Sequence, residues 1–108
     1  MKLRTVVATL RTARKLIADK RGWTQGCFAK DRAGKCVAPE EPTAVRFCAL
    51  GSLYHVNGPL MDQSIERLQA SARTLYNSDV VSINDGGAGS HPAVLKCFDH
   101  AIKGSQKC

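Results

Sequence analysis

Apolar residues recur at three- and four-residue steps near the start of the chain. They are, in order, Leu3, Val6, Val7, Leu10, Ala13 and Ile17. Charged residues fall mostly between them, and this spacing is typical of an amphipathic helix. We therefore predict a first helix over residues 3–20, with a basic outer face and Gly22 just beyond its end.

The next segment has the pattern of short strands rather than a helix. Two strand-like runs, 27–30 and 35–37, flank the tetrapeptide Asp31–Gly34. Asp at the first position and Gly at the fourth position suit a type I turn. We predict a small β-hairpin here, ended by the prolines that follow it.

The run after these prolines is apolar and carries few charges. Thr43 is a plausible N-cap for a second helix over residues 44–56. Because so little of this stretch is charged, we expect it to be the most buried element. Phe47, Leu50 and Leu53 are its predicted core residues.

Two further helices are expected in the second half of the chain. Asp62 or Ser64 is the predicted cap of a third helix that ends near Tyr76. Val80–Ile83 is a short β-branched run, predicted to be extended, and it leads into a glycine-rich turn. Ser90 is the predicted cap of the fourth helix, which has Pro92 in its first turn.

These elements predict a mainly α (α+β) fold, a compact bundle of about four helices with a short β-hairpin between helices 1 and 2. The chain has 108 residues, of which 44% are hydrophobic and 23% charged, as in one globular domain. We predict a single domain over residues 1–103 and a frayed tail over residues 104–108.

No stretch of the chain is predicted to enter a membrane. A spanning helix needs ~18–20 uninterrupted apolar residues, whereas Arg46 and His55 interrupt the most apolar run. Arg11 and Arg14 likewise interrupt any secretory leader. We therefore predict a cytoplasmic protein. In that reducing compartment its five cysteines are expected to be free thiols: Cys27, Cys36, Cys48, Cys97 and Cys108.

The charge balance permits anionic partners. Lys and Arg number 16 against nine Asp and Glu, which gives a net charge of +7. The first helix concentrates this charge in residues that could contact nucleic-acid phosphates. No recognition helix or aromatic platform accompanies them, so a solvated charged face is favoured. The candidate phosphate contacts are Arg4, Arg11, Arg14 and Lys15.

Cys48 with His91 and either Asn84 or Asp85 has the residue types of a cysteine-dependent hydrolase or transferase. A thiol nucleophile needs a base, and the base needs a polar group that orients it. In the predicted helix, however, Cys48 lies about five residues beyond the start, away from the turn where the helix dipole activates thiols. Core packing is therefore favoured for Cys48, and a surface or capping role for His91.

The cysteine spacing does not indicate a metal site. Cys27 and Cys36 are expected to be neighbours across the hairpin, but the chain has no C-x-x-C pair. Packing between the strands is the favoured role for both thiols, and we predict no metal and no cofactor. The glycine-rich turn lacks the Lys-Ser/Thr of a phosphate-binding loop, so it is predicted to be a flexible connection.

Two polar loops are predicted to lie side by side near the start of the fourth helix. One contains Trp23 and Gln25, the other Asn84 and Asp85. Glycine-rich segments cannot satisfy their own backbone groups, so short amide and carboxylate side chains are expected to bridge them. We hypothesise that these four residues form a binding surface for a protein partner. The leading function is therefore non-enzymatic binding or regulation, with the thiol enzyme and the nucleic-acid-associated protein as alternatives.

Four stretches in this order carry a resemblance to known sequences. They are Gly22–Gly26 (GWTQG), Phe47–Leu53 (FCALGSL), Asn84-Asp85 and Val94–Ile102 (VLKCFDHAI). Together they resemble a family of short bacterial and phage proteins of unknown function. The resemblance implies a compact, mostly helical cytoplasmic domain, in some cases carried by phages, and it implies no activity. The chain departs from the family in having Ile83, rather than an aromatic residue, before the Asn-Asp pair.

Overall fold

Helices and a small sheet make up residues 5–106, which the computed structural model describes. The helices are α1 (Val6–Ile17), α2 (Ala49–Val56), α3 (Met61–Tyr76), α4 (Val80–Asn84) and α5 (Ser90–Ser105). The strands are β1 (Ala29–Lys30), β2 (Cys36–Val37) and β3 (Arg46–Phe47). The predicted mainly helical bundle with a hairpin after the first helix is confirmed.

The sheet contains the predicted hairpin and one strand that was not predicted. Its order is β2-β1-β3, and both pairings are antiparallel. The turn forms at the expected tetrapeptide, where Gly34 N donates to Asp31 O over 3.0 Å. Gly34 has a φ of +84°, a left-handed conformation that glycine adopts without cost.

The predicted start of the second helix is wrong. Residues after Thr43 are extended because Arg46 and Phe47 pair with β1, so the helix begins only where the strand ends. Cys48 is the N-cap of α2, and its Sγ accepts from Gly51 N over 3.2 Å. The burial prediction is confirmed, since residues 49–53 are all buried.

The extended run predicted at Val80–Ile83 is a helix. Asp79 caps α4, and its carboxylate accepts from Ser82 N over 2.8 Å. This cap satisfies one of the free N–H groups of the first turn and outweighs the strand preference of the β-branched residues.

The caps predicted for the third and fourth helices are also wrong. The N-cap of α3 is Leu60, which has no side-chain hydrogen bond, and Asp62 and Ser64 lie inside the helix. The N-cap of α5 is Gly89 with a φ of +89°, while Ser90 Oγ donates back to the Gly87 carbonyl over 2.7 Å.

The C-terminal ends of the first and last helices differ from the predicted ones. Helix α1 ends at Ile17, and a 3-10 turn over Lys20–Gly22 follows. Its predicted start at Leu3 lies outside the described residues. Helix α5 continues through Ser105, so it includes the first two residues of the predicted tail, whereas residues 107–108 lie outside the described part.

The core lies between α1, α2 and α5. Leu10, Leu53 and Phe98, one from each helix, are fully buried at 0% exposure. The sheet is held against α2 at Gly51, where the Phe28 backbone leaves no room for a Cβ atom. Within residues 5–106 no helix has the length and apolar character needed to cross a membrane.

Candidate functional site

The two loops predicted to lie side by side are in direct contact. Gln25 Nε2 donates to the carbonyls of Asn84 (2.8 Å) and Gly86 (3.0 Å). Gly26 N donates to Asp85 Oδ1 over 3.1 Å. We call this contact between residues 23–26 and 84–86 the loop junction. These bonds confirm the prediction that the two loops lie side by side.

Asn84 is the centre of the loop junction and is only 1% exposed. Its Oδ1 accepts from Trp23 Nε1 (2.8 Å) and from Ala49 N (3.0 Å). Its Nδ2 donates to Thr24 O (3.0 Å) and to Asp85 Oδ1 (3.0 Å). These four bonds are the full capacity of a side-chain amide. Asn84 therefore ties three segments together and has no hydrogen bond left for a ligand.

Of the four predicted binding residues, Asp85 is the one with a charged oxygen that has no partner among the described residues. The Trp23 indole N–H is bonded to Asn84, and its ring centroid lies 5.0 Å from that of His91. Gln25 Nε2 is bonded to two carbonyls. Asp85 is exposed, and within the described residues its Oδ2 has no hydrogen bond and no ion pair.

An apolar cavity of about 370 Å³ opens beside the loop junction, at the start of α2. We call it the α2 cavity. Its buried lining is formed by Cys48, Ala49 and Leu50. Phe28 and Val81, which are 45% and 42% exposed, lie at its mouth. Cys27, Gly26, Asn84 and Asp85 complete the lining.

The thiol of Cys48 lies at a helix N-terminus, contrary to the prediction that it lies inside the helix. This is the position where thiols are activated. Burial nevertheless raises the pKa of the Cys48 thiol, against the opposing effect of the hydrogen bond from Gly51 N–H. The negative charge of Asp85 raises the same pKa further. The thiol is therefore neutral and weakly nucleophilic at neutral pH.

His91 is not placed as a base for this thiol. The predicted surface position is wrong, because His91 is 8% exposed. The capping alternative takes a different form, since Nε2 donates over 2.7 Å to the carbonyl of Ile17, the last residue of α1. It lines a different cavity from Cys48, on the Trp23 side of the loop junction. The residues of the candidate catalytic set are therefore not assembled as a nucleophile and its base.

Cys27 and Cys36 form a disulfide, so the prediction of five free thiols is wrong. The hairpin brings their Cα atoms to 6.1 Å, within the range that a disulfide spans. Cys48 and Cys97 are free and buried, and Cys108 lies outside the described residues. Within those residues, no group of three or more His, Cys, Asp or Glu side chains is placed to hold a metal ion.

The candidate phosphate-binding residues lie apart from the α2 cavity. Arg11 and Lys15 are exposed on α1, and Arg14 Nε is paired with Asp99 Oδ1 at 2.8 Å. The groove between them includes the Asp99 carboxylate. Arg4 lies outside the described residues. The acidic side chain lowers the positive charge that this groove offers to an anion.

A family model matches residues 1–104, and its family is described as one of unknown function, DUF6197. The chain belongs to DUF6197. No curated protein and no solved structure matches this DUF6197 member. The match spans both loops of the loop junction and the whole α2 cavity. It confirms the resemblance at the level of a family of unknown function.

Sequence reasoning missed the α2 cavity. Phe28 and Leu50 were assigned to a strand and a helix, with nothing to show that their side chains meet. The position of Val81 could have been predicted from the sequence. A helix capped by Asp79 places Val81 one turn before Asn84. The cavity lies where α2 begins after β3, and that strand has only two residues.

Proposed function

We propose that this DUF6197 member is a non-enzymatic binding protein that takes an apolar side chain of a protein partner into the α2 cavity. The observation that carries the proposal is the cavity itself, an apolar space open at the surface. The polar groups beneath it are already satisfied, since Ala49 N is bonded to Asn84 and Gly51 N to Cys48. Filling the cavity therefore costs no internal hydrogen bond.

The exposed mouth favours a protein chain over a free small molecule. Sites for small ligands usually enclose about 70–90% of the ligand surface. Here Phe28 and Val81 remain 45% and 42% exposed at the opening. An apolar anchor in a pocket, surrounded by further contact surface, is how protein partners concentrate binding energy. Phe28 and Val81 supply that surrounding surface.

Binding is also favoured over thiol chemistry by the state of the two candidate catalytic residues. Burial raises the pKa of Cys48, and the Nε2 of His91 is occupied by a backbone carbonyl. A nucleophile and its base must be within hydrogen-bond reach of each other. Cys48 is instead bonded to Gly51 N, which is a contact that stabilises the start of α2.

A peptide titration tests the proposal. We expect N-acetyl-Gly-Leu-Gly-amide to shift the backbone NMR signals of residues 26–28, 48–50 and 81. Val81→Gln places a polar group at the mouth and is expected to weaken the affinity by about fivefold, the effect of losing roughly 1 kcal/mol of apolar contact.

Val45→Gln is the matched control for this substitution. Val45 is the same residue type with the same 42% exposure, but it does not line the α2 cavity. It should bind the peptide as the unchanged chain does. Shifts confined to another region, or an equal loss in both variants, would contradict the proposal.

A further inference from the structure

The Asp85 carboxylate is held in a fixed position at the edge of the α2 cavity. Its Oδ1 accepts from Gly26 N (3.1 Å) and from Asn84 Nδ2 (3.0 Å). These bonds come from two different segments and orient the carboxylate. Its Oδ2 has no partner in the part of the chain that the structure describes. The cavity thus presents one oriented anionic oxygen beside an apolar space.

Within residues 5–106, no Lys, Arg or His forms an ion pair with this carboxylate. The ion pairs among residues 5–106 are Arg14–Asp99 and Arg21–Asp19. Neither Lys nor Arg lines the α2 cavity. Burial is the largest cause of the raised pKa of the Cys48 thiol in the cavity lining. The negative charge of Asp85 also raises this pKa. Backbone N–H groups at the start of α2 act on that pKa in the opposite direction. The Asp85 carboxylate at the cavity edge is a local anionic group in a chain whose net charge is +7.

Most N–H donors at the start of α2 are used within the chain and are not free to bind an anion. Free N–H groups at a helix N-terminus bind anions. Here Ala49 N is bonded to Asn84 Oδ1 (3.0 Å) and Gly51 N to Cys48 Sγ (3.2 Å). These two donors of the first turn are used within the chain. The unpaired charged atom that remains is an acceptor.

We infer that the partner segment carries a Lys or Arg side chain next to its apolar anchor, and that Asp85 selects this cation. The inference rests on the proposed function of the α2 cavity and names the chemistry of the partner. No Lys or Arg lines the cavity, and charges more than about 8 Å apart are largely screened at physiological salt. Asp85 is within that distance of a side chain seated in the cavity.

Three peptides of equal length test the inference in one titration series. They are N-acetyl-Gly-Leu-Lys-Gly-amide and the same peptide with Gln or with Glu in place of Lys. We expect the Lys peptide to bind about two- to fivefold more tightly than the Gln peptide, the range of an exposed ion pair. The Glu peptide should bind most weakly. The preference for Lys should shrink when the salt concentration is raised tenfold.

Asp85→Asn removes the charge and keeps the shape of the side chain. Its Oδ1 can still accept from Gly26 and Asn84, so the loop junction is expected to stay folded. The preference for the Lys peptide over the Gln peptide should disappear in this variant. Asp62→Asn is the control of equal net charge, because Asp62 is exposed and does not line the cavity.

The outcomes separate this inference from the proposed function. Equal affinity for the three peptides, or tighter binding of the Glu peptide, overturns the selection by Asp85 and leaves the apolar cavity as a binding site. Failure of all three peptides to bind overturns the proposed function and the inference with it. These comparisons use the unchanged chain, so they stand even if a variant fails to fold.

Discussion

Asn84 shows how one residue organises the region around the α2 cavity. A buried side-chain amide destabilises the fold unless its donors and acceptor are paired, because each unpaired polar group in the interior costs free energy. Asn84 meets that requirement with bonds to Trp23, Thr24, Ala49 and Asp85. Its neighbour Asp85 is exposed, and its carboxylate accepts hydrogen bonds only through Oδ1 among the described residues. The same dipeptide thus supplies a structural tie and the proposed selective contact.

Replacing Asn84 should therefore lower the free energy of unfolding. Asn84→Ala leaves the Trp23 indole N–H, the Ala49 N–H and the Thr24 carbonyl without a partner. We expect the free energy of unfolding to fall by about 3–5 kcal/mol. Chemical denaturation measures this directly.

Gln63→Ala is the control for that change. Gln63 is an exposed residue of α3, and substitutions of this kind stay within about 0.5 kcal/mol. A loss below 1 kcal/mol for Asn84→Ala would show that the loop junction does not depend on this amide.

At the scale of secondary-structure elements, the long periodic helices were predictable from the sequence and the short elements were not. The spacing of apolar residues located α1, α3 and α5, because it persists over several turns. A strand of two residues such as β3 and a helix of five residues such as α4 carry no such repeat. Missing β3 placed Cys48 inside a helix and hid the α2 cavity.

The contact between the two loops was predictable for a different reason. Glycine-rich loops with Gln25, Asn84 and Asp85 have backbone groups that need partners from elsewhere in the chain. The residue types of the two loops were therefore enough to predict hydrogen bonds between them. The shape of the space beside them depends on where three elements end, and no local pattern reports that.

The disulfide is the element-scale feature that departs furthest from the predicted cytoplasmic chemistry. It links residues nine positions apart across the hairpin that carries Cys27 into the cavity lining. Closing a loop of this length is expected to stabilise the fold by about 2–3 kcal/mol through the unfolded chain. We predict that the reductant dithiothreitol lowers the thermal midpoint of unfolding of the oxidised protein.

The matched control for the reductant is the double substitution of Cys27→Ser with Cys36→Ser. This variant has no disulfide in this hairpin and should show the same midpoint with and without dithiothreitol. If the unchanged chain also unfolds at one midpoint under both conditions, the pair is not bonded in the purified protein.

At the scale of the whole molecule, the groove of α1 and the α2 cavity differ in charge among the described residues, 5–106. The basic side chains of α1 lie around a groove that already contains Asp99, whereas Asp85 stands beside an apolar cavity without a counter-charge. The α2 cavity thus keeps a carboxylate oxygen of Asp85 without a partner among the described residues, although the net charge of the chain is +7. The net charge permitted an anionic partner without selecting one, and the inferred cationic segment rests on the distribution of charge.

The most direct test of the α2 cavity is an NMR measurement of contacts between the protein and a bound peptide. With N-acetyl-Gly-Leu-Lys-Gly-amide in excess, the leucine methyl groups of the peptide should show nuclear Overhauser effects to the methyl groups of Ala49, Leu50 and Val81. Such contacts place the apolar anchor inside the cavity. Contacts to the α1 groove instead, or none at a concentration where the peptide is bound, would contradict the proposed site.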